Sequence, residues 1–562
     1  MEYKIGDKII TENTFDRAIR YIDPIRANKR FQARAISAVV GGYTGADYSR
    51  RSLSQWLPFL SKNTSVDKET VRDLPTLRSA SRDLVRNAPI AGGAINTVCT
   101  NTVGTGLKLH ARVDKDILGI SEEQADALEL IIKREWNLYA NSKECDAART
   151  LNFVDMQDVA FRSTLESGDI FALMPHIKRS GSVYNLKIQL IEADRICNKD
   201  YKPDTDTLIA GIQKDEYGAP KEYHIANQHP GNAYYNYKKN LTWSVVPAFG
   251  KASGRRNVLH LYQTMRPGQT RGIVYLAGVI EPLKQLDRFT EAELQAAVIS
   301  SMFTIFVKTE QGDESLSPMS PAGETGGTST DEDYKIASGA IVMLGKNQEI
   351  QTANPTRPNS TFDPFVTLIL RQIGVYLEIP YELLIKSFMA SYSASRAALL
   401  EAWKFFITQR QWLADNFCQP VYESWFEEAV LLGRIPAPGF FDDPIIRNAY
   451  LGAEWVGPSK GMINEKDEAT AAQLRLDMGI TTLEEETAAL TGGDWERKHQ
   501  QSVKERRMRK EGGLIAEAPQ QMQPDNNKED DKNKDKEKDN PDDKEDNPDD
   551  EEDNQDKEET EK

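Results

Sequence analysis

Apolar positions fall at helical spacing in the stretch from Leu74 to Leu109. Leu77, Leu84 and Val85 mark one helix, Asn87-Ala88-Pro89 interrupts it, and a second apolar run ends at Gly104, so the pattern predicts two helices joined at a proline. Ser121 followed three residues later by Gln124 is a capping-box signature. The helix it starts continues through Leu128, Ile131, Ile132 and Trp136. Between Ile170 and Leu276 the period shortens to strand-like runs, IFALMPHI, YNLKIQLI, TLIAGIQ, EYHIA and NVLHLY. Gly181, Gly218-Ala219-Pro220 and Pro267-Gly268 punctuate them, which predicts a mixed α+β domain.

Helices return at Glu281-Pro282, with Leu283, Leu286, Phe289, Leu294, Val298, Met302 and Ile305 as a stripe that stops near Lys308. The Gly/Ser/Pro/acidic stretch EQGDESLSPMSPAGETGGTSTDED that follows cannot build a core and reads as a mobile loop. A short β segment, KIASGAIVMLG, comes next. Asp363-Pro364 then begins a helix, Asp as N-cap and Pro in the first turn, that runs through Tyr376 and closes at Pro380. After the small-residue connection LIKSFMASYSAS, one apolar-striped segment extends from Arg396 to about Leu432 through Leu399, Trp403, Phe406, Arg410, Leu413, Phe417 and Phe426. Such a helix spans roughly 55 Å, with a kink expected at Pro420. A last helical region follows Pro458, with Thr481 and Glu484 placed as a capping box, and ends in the basic run KERRMRK, Lys504 to Lys510.

Charge changes this picture at the two ends. The net charge is −16, but residues 524–562 hold 20 Asp/Glu against 8 Lys, which leaves −4 for everything before them. With no apolar residue to repay ordering, that tail is expected to be disordered. Near the other end, Arg17, Arg20, Arg26, Lys29, Arg30 and Arg34 stand against Asp23 alone, followed by Gly41, Gly42 and Gly45. This is a basic arm on a flexible joint, able to touch phosphate or simply to be a solvated face. At 562 residues the chain suggests three or four structural units. Four widely spaced cysteines, Cys99, Cys145, Cys197 and Cys418, point to reduced thiols. The opening MEYKIGDKII lacks the features of a signal peptide, and no run approaches a membrane span, so no membrane insertion is expected.

Enzyme signatures are weak. Gly457-Pro458-Ser459-Lys460-Gly461 is a literal GxSxG, in which Ser459 would be a nucleophile on a sharp turn, but no oxyanion segment accompanies it. Six histidines are scattered without HExxH spacing. Gly339 to Asn347 fails as a phosphate loop, with five residues between the glycines and Asn in place of Ser/Thr. The residues therefore indicate no catalytic, cofactor-binding or metal site. The run Lys504–Lys510 either meets nucleic-acid phosphate or is a favourable cationic helix end.

Several stretches together resemble the lambda-type portal proteins of tailed bacteriophages. They are SRDLVRNAPIAGGAINTVCTNTVGTGLKL from Ser81, DVAFRSTLESGDIF from Asp158, LIEADRICN from Leu190, NVLHLYQTMRPGQTRGI from Asn257, EPLKQLDRFTEAELQAAV from Glu281, SYSASRAALLEAWKFF from Ser391, and the long run from Gly457 to Glu496. One departure is Asn464-Glu465, where the family commonly has Asp-Pro, which bears on the start of that helix. The resemblance implies a portal-type α+β fold. Residues 1–74 would be an N-terminal arm and linker, 75–280 an α+β wing, 281–308 and 360–386 two stem helices, and 309–359 a small α/β clip containing the loop 310–333. Residues 387–395 would be a tunnel loop, 396–440 a long kinked wing helix, 441–514 an α-helical crown, and 515–562 the acidic tail.

What the resemblance implies in function is a ring, typically of twelve copies, at one capsid vertex. Double-stranded DNA would pass through its channel during packaging and ejection, and terminase, the major capsid protein and the head-completion or tail-connector proteins would be its partners. The protein would reside in the virion, and in host cytoplasm during assembly, as a non-enzyme without cofactors. The expected DNA-facing residues are Ser387, Phe388, Met389, Ala390, Ser391, Tyr392 and Ser393, small side chains with a few bulky ones suited to contact without sequence readout. Lys284, Arg288, Lys386 and Arg396 are expected to add weak phosphate contacts. A body charge of only −4 should let DNA slide. The alternatives are a soluble nucleic-acid-binding protein using its two basic segments, and a serine hydrolase at Ser459. The acidic tail lies outside the resemblance; it would keep subunits soluble or pair with Lys504–Lys510.

Overall fold

Leu74, Leu77 and Leu84 close one face of α1 (Leu74–Asn87), and Pro89 starts α2 (Pro89–Thr102) after a single extended residue. Proline suits that position because a first-turn N–H has no helical partner to lose. The computed structural model describes residues 2–5, 8–11, 65–232, 241–301, 305–309, 348–352, 362–388, 391–461, 464–491, 493–512 and 514. The chain divides into two units, 1–496 and 497–562. The basic arm Arg17–Arg34, the loop 310–333, the β segment after it and the acidic tail lie outside the described residues.

In the first unit, β1 (Glu2–Ile5) and β2 (Lys8–Thr11) form a hairpin. The Ser121–Gln124 box opens α3 (Glu122–Ala140), and a second box, Asn152 with Asp155, opens α4 (Phe153–Ser167). Between α2 and α3 lies β3 (Lys108–Ala111). This region holds β4 (Asp169–Leu173), β5 (Gln189–Glu192), β6 (Leu208–Ile209), β7 (Ile212–Lys214), β8 (Pro220–Ala226), β9 (Trp243–Pro247) and β10 (Val258–Tyr262). They make two antiparallel sheets, ordered β10-β4-β5 and β6-β7-β8-β9. Alternation along β4 sends Ile170 and Ala172 into the large helical core and Phe171 into a smaller core between the sheets, where Ile191, Ile212, Tyr223, Ile225 and Val258 also lie. The strand β9 was not among the expected runs.

The helix expected over 281–308 is shorter. It is α5 (Ile280–Ser301), and Ile305, counted above in the helical stripe, belongs instead to β11 (Ile305–Thr309), paired with β12 (Gln348–Thr352). The β-branched sequence IFVKT favours the pleated form. The helix expected over 360–386 is interrupted: α6 (Phe362–Tyr376) ends before Glu378, whose φ is +52°, and Pro380 leads into the short α7 (Tyr381–Leu384). The long segment is helical throughout, as α8 (Tyr392–Leu413), a π-helical turn at Ala414–Cys418, and α9 (Gln419–Leu431). The wide turn sits where the Pro420 ring would press on the Asn416 carbonyl, and so accommodates a proline that could give only a broken α-helix.

Residues from 441 onward are not purely helical. After α10 (Pro444–Leu451), β13 (Ala453–Val456) pairs with β3, and Tyr450 and Leu451 join the large core, so this stretch is part of the body. Asn464 caps α11 (Glu465–Asp477), doing the work of the absent Asp-Pro. The capping box of α12 (Leu483–Thr491) sits one residue later than expected: the Glu485 amide donates to Thr482 Oγ1, and the Thr482 amide to Glu485 Oε2. The large core centres on aromatic rings in edge-to-face contact, with Trp136 5.1 Å from both Phe153 and Trp425.

A fully buried ion cluster ties the helical and sheet layers together. Asp169, 0% exposed at the start of β4, accepts from Arg78 Nη2 at 2.6 Å, Arg271 Nε at 2.5 Å and Nη2 at 3.2 Å, His260 Nε2 at 3.1 Å and the Gly272 amide at 3.3 Å. Arg271 spends its remaining donors on the carbonyls of Ile196, Ala210 and Ala193, so all five of its N–H groups are satisfied. Arg78 Nε donates to the Ser167 carbonyl. The approach requires two glycines: at Gly168, φ is +87°, and a Cβ on either Gly168 or Gly272 would overlap the other's backbone. Burial pushes the Asp169 carboxyl up, but Arg271, Arg78 and the His260 hydrogen bond outweigh it and hold the group far below the usual carboxylate range. Burial brings Arg78 down to about 10, still charged at neutral pH.

Asp169→Asn leaves the buried Arg271 without its counter-charge and Arg78 with only Asp194 at 3.7 Å, and is expected to cost about 3–5 kcal/mol, read as a lower urea midpoint at unchanged slope; a loss near zero would show the cluster to be dispensable. Burial also holds His260 below its ordinary 6.5, against the pull of Asp169. The unfolded histidine takes up a proton as pH falls through that value and the folded one only at lower pH, so stability declines below about pH 6.5. His260→Gln should flatten the fall in thermal midpoint between about pH 6.5 and 5, and an unchanged slope would assign the fall to other groups. The Asp169 contribution is present above about pH 4 and is lost only at more acid pH.

Candidate functional site

The expected site residues fall around the meeting of α5, α6, α7 and α8. Phe289 of α5 stacks on Phe362 at 5.4 Å and meets Phe365 edge-on at 5.1 Å, fixing α5 against α6. Lys284 and Arg288 lie one turn apart on α5, four residues from each other and so on one face. Lys386 follows α7 with φ +54°, and the Ser387 amide donates to the Glu382 carbonyl at 3.0 Å, which closes that helix. Phe388 is exposed, and Met389 and Ala390 lie outside the described residues.

Ser391 is the N-cap of α8, its Oγ accepting from the Ala394 amide. The expected loop 387–395 is therefore shorter, since Tyr392 and Ser393 are already helical and Arg396 lies on the second turn. A serine ahead of a helical stripe is a cap signal that a small-residue reading passes over. Lys386 and Arg396 thus bracket the turn from opposite sides.

These helices share an unusual surface. Each buries apolar residues on one side, Leu283 and Leu286 of α5, Leu370 and Ile373 of α6, Ala402 and Phe406 of α8. Each also exposes large apolar residues elsewhere: Leu294 at 66%, Leu368 at 55%, Val375 at 81%, with Val298, Leu400 and Ile407 near half. Val375, Arg371, Tyr381 and Phe405 line an open cleft of about 870 Å³ between α6, α7 and α8. Apolar residues exposed on helices that pack together are available for cover by another chain.

The other sequence candidates resolve into structural roles. Arg410, which stands in the apolar stripe of α8, donates to the carbonyls of Asn101 and Thr102 at the end of α2 and to that of Pro458. Its guanidinium also lies over the Trp403 ring. A Cβ at Gly457 would overlap that guanidinium, so the GxSxG turn is shaped to seat Arg410. Burial pushes the Cys99 and Cys145 thiols up to about 12, which keeps them protonated and unreactive. Glu192, Asp194 and His229 bring three possible ligand atoms together, but Arg82 Nη2 already lies 3.0 Å from Glu192 and 2.5 Å from Asp194. A divalent ion there would have to displace a cation. A polar cavity of about 350 Å³ beside the π-helical turn is lined by Arg255, Arg256 and Arg447 against Asp415, Glu423 and Glu427, so its charges offset. In the second unit, residues 497–511 continue the helix α13 (Trp495–Glu511), which carries the run Lys504–Lys510 and buries no side chain.

Comparison with known proteins gives a consistent set of relatives. The family described as phage portal protein, lambda family, matches residues 49–410. The chain is similar to portal protein B of Escherichia phage lambda, 26% identical over 502 residues that cover 84% of this chain and 90% of that protein. It is equally similar to the portal protein of Escherichia phage N15, 26% identical over 496 residues with the same coverage. A solved chain from the neck of a native GTA particle overlaps 73% of this chain and 92% of its own length at 12% identity, with a TM-score of 0.38, a superposition too loose to build on.

Ser391→Ala removes the cap of α8 and is expected to cost about 1 kcal/mol. Hydrogen exchange at the amides of Ala394 and Ser395 should then speed by about fivefold, and unchanged exchange would show that the helix start is held by other contacts.

Proposed function

Because the chain belongs to the lambda family of phage portal proteins, we propose that it closes into a ring at one capsid vertex and forms the channel through which double-stranded DNA enters and leaves. The observation that carries the ring is the exposed apolar surface of α5, α6 and α8, which a neighbouring copy would cover. Terminase and the head-completion and tail-connector proteins would dock on the assembled ring of like subunits.

In this reading α5 and α6 are the stem, the turn 387–391 with Phe388 faces the channel, and α11 and α12 belong to the crown, with Glu484 of α12 paired to Arg112 at 2.7 Å. Lys386 and Arg396, on either side of the turn, and Lys284 and Arg288 on α5 supply sparse cations. Tight binding would stall the duplex, and neutralising many phosphates at once is what makes binding tight. Few cations on a body of net charge −4 favour passage over grip. The protein would act by geometry, without an active site; the turn at Ser459 is accounted for by Arg410.

Purified protein imaged by negative stain should give rings with a central opening wide enough for duplex DNA. Leu368→Asp with Val375→Asp places charge on the exposed faces of α6 and is expected to leave folded monomers with an unchanged circular dichroism spectrum; intact rings would remove this surface from the interface. Lys386→Ala with Arg396→Ala should lower packaging rate and DNA retention severalfold while leaving rings intact. Unchanged packaging would sink the role assigned to these two cations.

A further inference from the structure

We propose that α13 is a polyanion-binding surface whose resident occupant is the acidic end of the chain's own tail, residues 541–562. Seven basic residues, Arg497, Lys498, Lys504, Arg506, Arg507, Arg509 and Lys510, stand on this helix against Glu496, Glu505 and Glu511, and none of its described side chains is buried. At about 100° per residue, Lys504, Arg506, Arg507, Arg509 and Lys510 are spread around the whole circumference. No apolar stripe is available to pack on a core, and a helix polar on all sides needs other support.

Like charges also stand side by side along the helix. Arg506–Lys510 and Arg506–Arg509 are like-charge neighbours at helical spacing, which opposes the helix. The Arg507–Glu511 ion pair is 3.9 Å long with both ends exposed, and Gln501 donates to Glu505 at 2.8 Å. A dense negative partner would relieve this repulsion along the full length.

The tail contains such a partner, and its charge is not evenly spread. Residues 515–540 hold 8 Asp/Glu and 5 Lys, close to balance, whereas 541–562 hold 13 Asp/Glu and 3 Lys, a net −10 in 22 residues. The nearly balanced 26 residues read as a spacer and the last 22 as the ligand. A random-coil chain of 26 residues spans roughly 28 Å on average, and α13, 17 residues long, extends about 25 Å. The acidic block can therefore return along the helix that precedes it. Being tethered, it is present at an effective concentration of about millimolar.

The contact would consist of many exposed ion pairs, each weak and screened by salt. It would hold the helix away from stray nucleic acid and yield where phosphate is concentrated, because a duplex carries a denser line of charge and releases counterions on binding. This goes beyond the channel reading and does not depend on it.

Anisotropy of a fluorescent 20-base-pair duplex at about 50 mM NaCl would compare the full chain with a chain ending at Asn540. The shortened chain should bind at least about tenfold more tightly, and added synthetic peptide of sequence 541–562 should reverse the gain. The gain should vanish when Lys504, Arg506, Arg507, Arg509 and Lys510 are all replaced by Gln. Equal affinity of the two chains, or a gain that survives the Gln replacements, overturns the proposal. Carbodiimide crosslinking of the full chain, in a mixture of isotopically light and heavy protein, should join Lys504 or Lys510 to carboxylates of 541–562 within one chain. Crosslinks only between chains, or none, overturn the intramolecular contact.

Discussion

A single carboxylate, Asp169, is the point on which the first unit turns. It draws α1 through Arg78, β10 through His260 and the segment after it through Arg271, and Arg271 in turn holds the carbonyls of the 193–211 stretch. An apolar core could pack these layers at nearly the same energy in several registers, because dispersion is not directional. A buried charge with five donors admits one arrangement, since any donor left unpaired costs more than the bond returns. The aromatic core beside it supplies the driving force, while the ion cluster sets the relative positions of helix and sheet. Upon those positions rests the start of α5, which follows Arg271 along the chain.

Much of this architecture was legible in the residues. The helix pair at Pro89, the capping box at Ser121, the change of period after Ile170 and the long stripe to Leu432 all declare themselves through spacing, because burial on one face enforces it. Asp169, Arg78 and Arg271 were not recognised as a set. They lie 91 and 102 residues apart, and nothing local distinguishes an arginine buried against an aspartate from one in solvent. The signal present was indirect: three of the stretches that carry the family resemblance, around Gly168-Asp169, Ala193 to Ile196 and His260 to Gly272, converge on this one point.

The misreadings have physical causes too. Ile305 continued a helical stripe by spacing, but the β-branched run it opens pairs with β12, a contact that only the fold supplies. The small side chains around Tyr392 and Ser393 suit a loop, yet Ser391 satisfies the Ala394 amide in the first turn and commits them to helix. Arg410 stands on an apolar stripe as an exception, and its half-buried position is explained by the α2 carbonyls it caps. Of the expected DNA-facing set, the sequence gives identity and order, whereas orientation toward a channel is a property of the assembled ring.

The π-helical turn at Ala414–Cys418 has a consequence for orientation. One additional residue within a turn is a phase slip, displacing everything after it by about 100° around the axis. The side of α8 that shows Leu400 and Ile407 outward and the side of α9 that places Trp425 and Phe426 inward are therefore set relative to each other by a single inserted position. The long helix works as two cams on one shaft, keyed at Pro420, and its outward face could be re-indexed by moving the key without altering either cam.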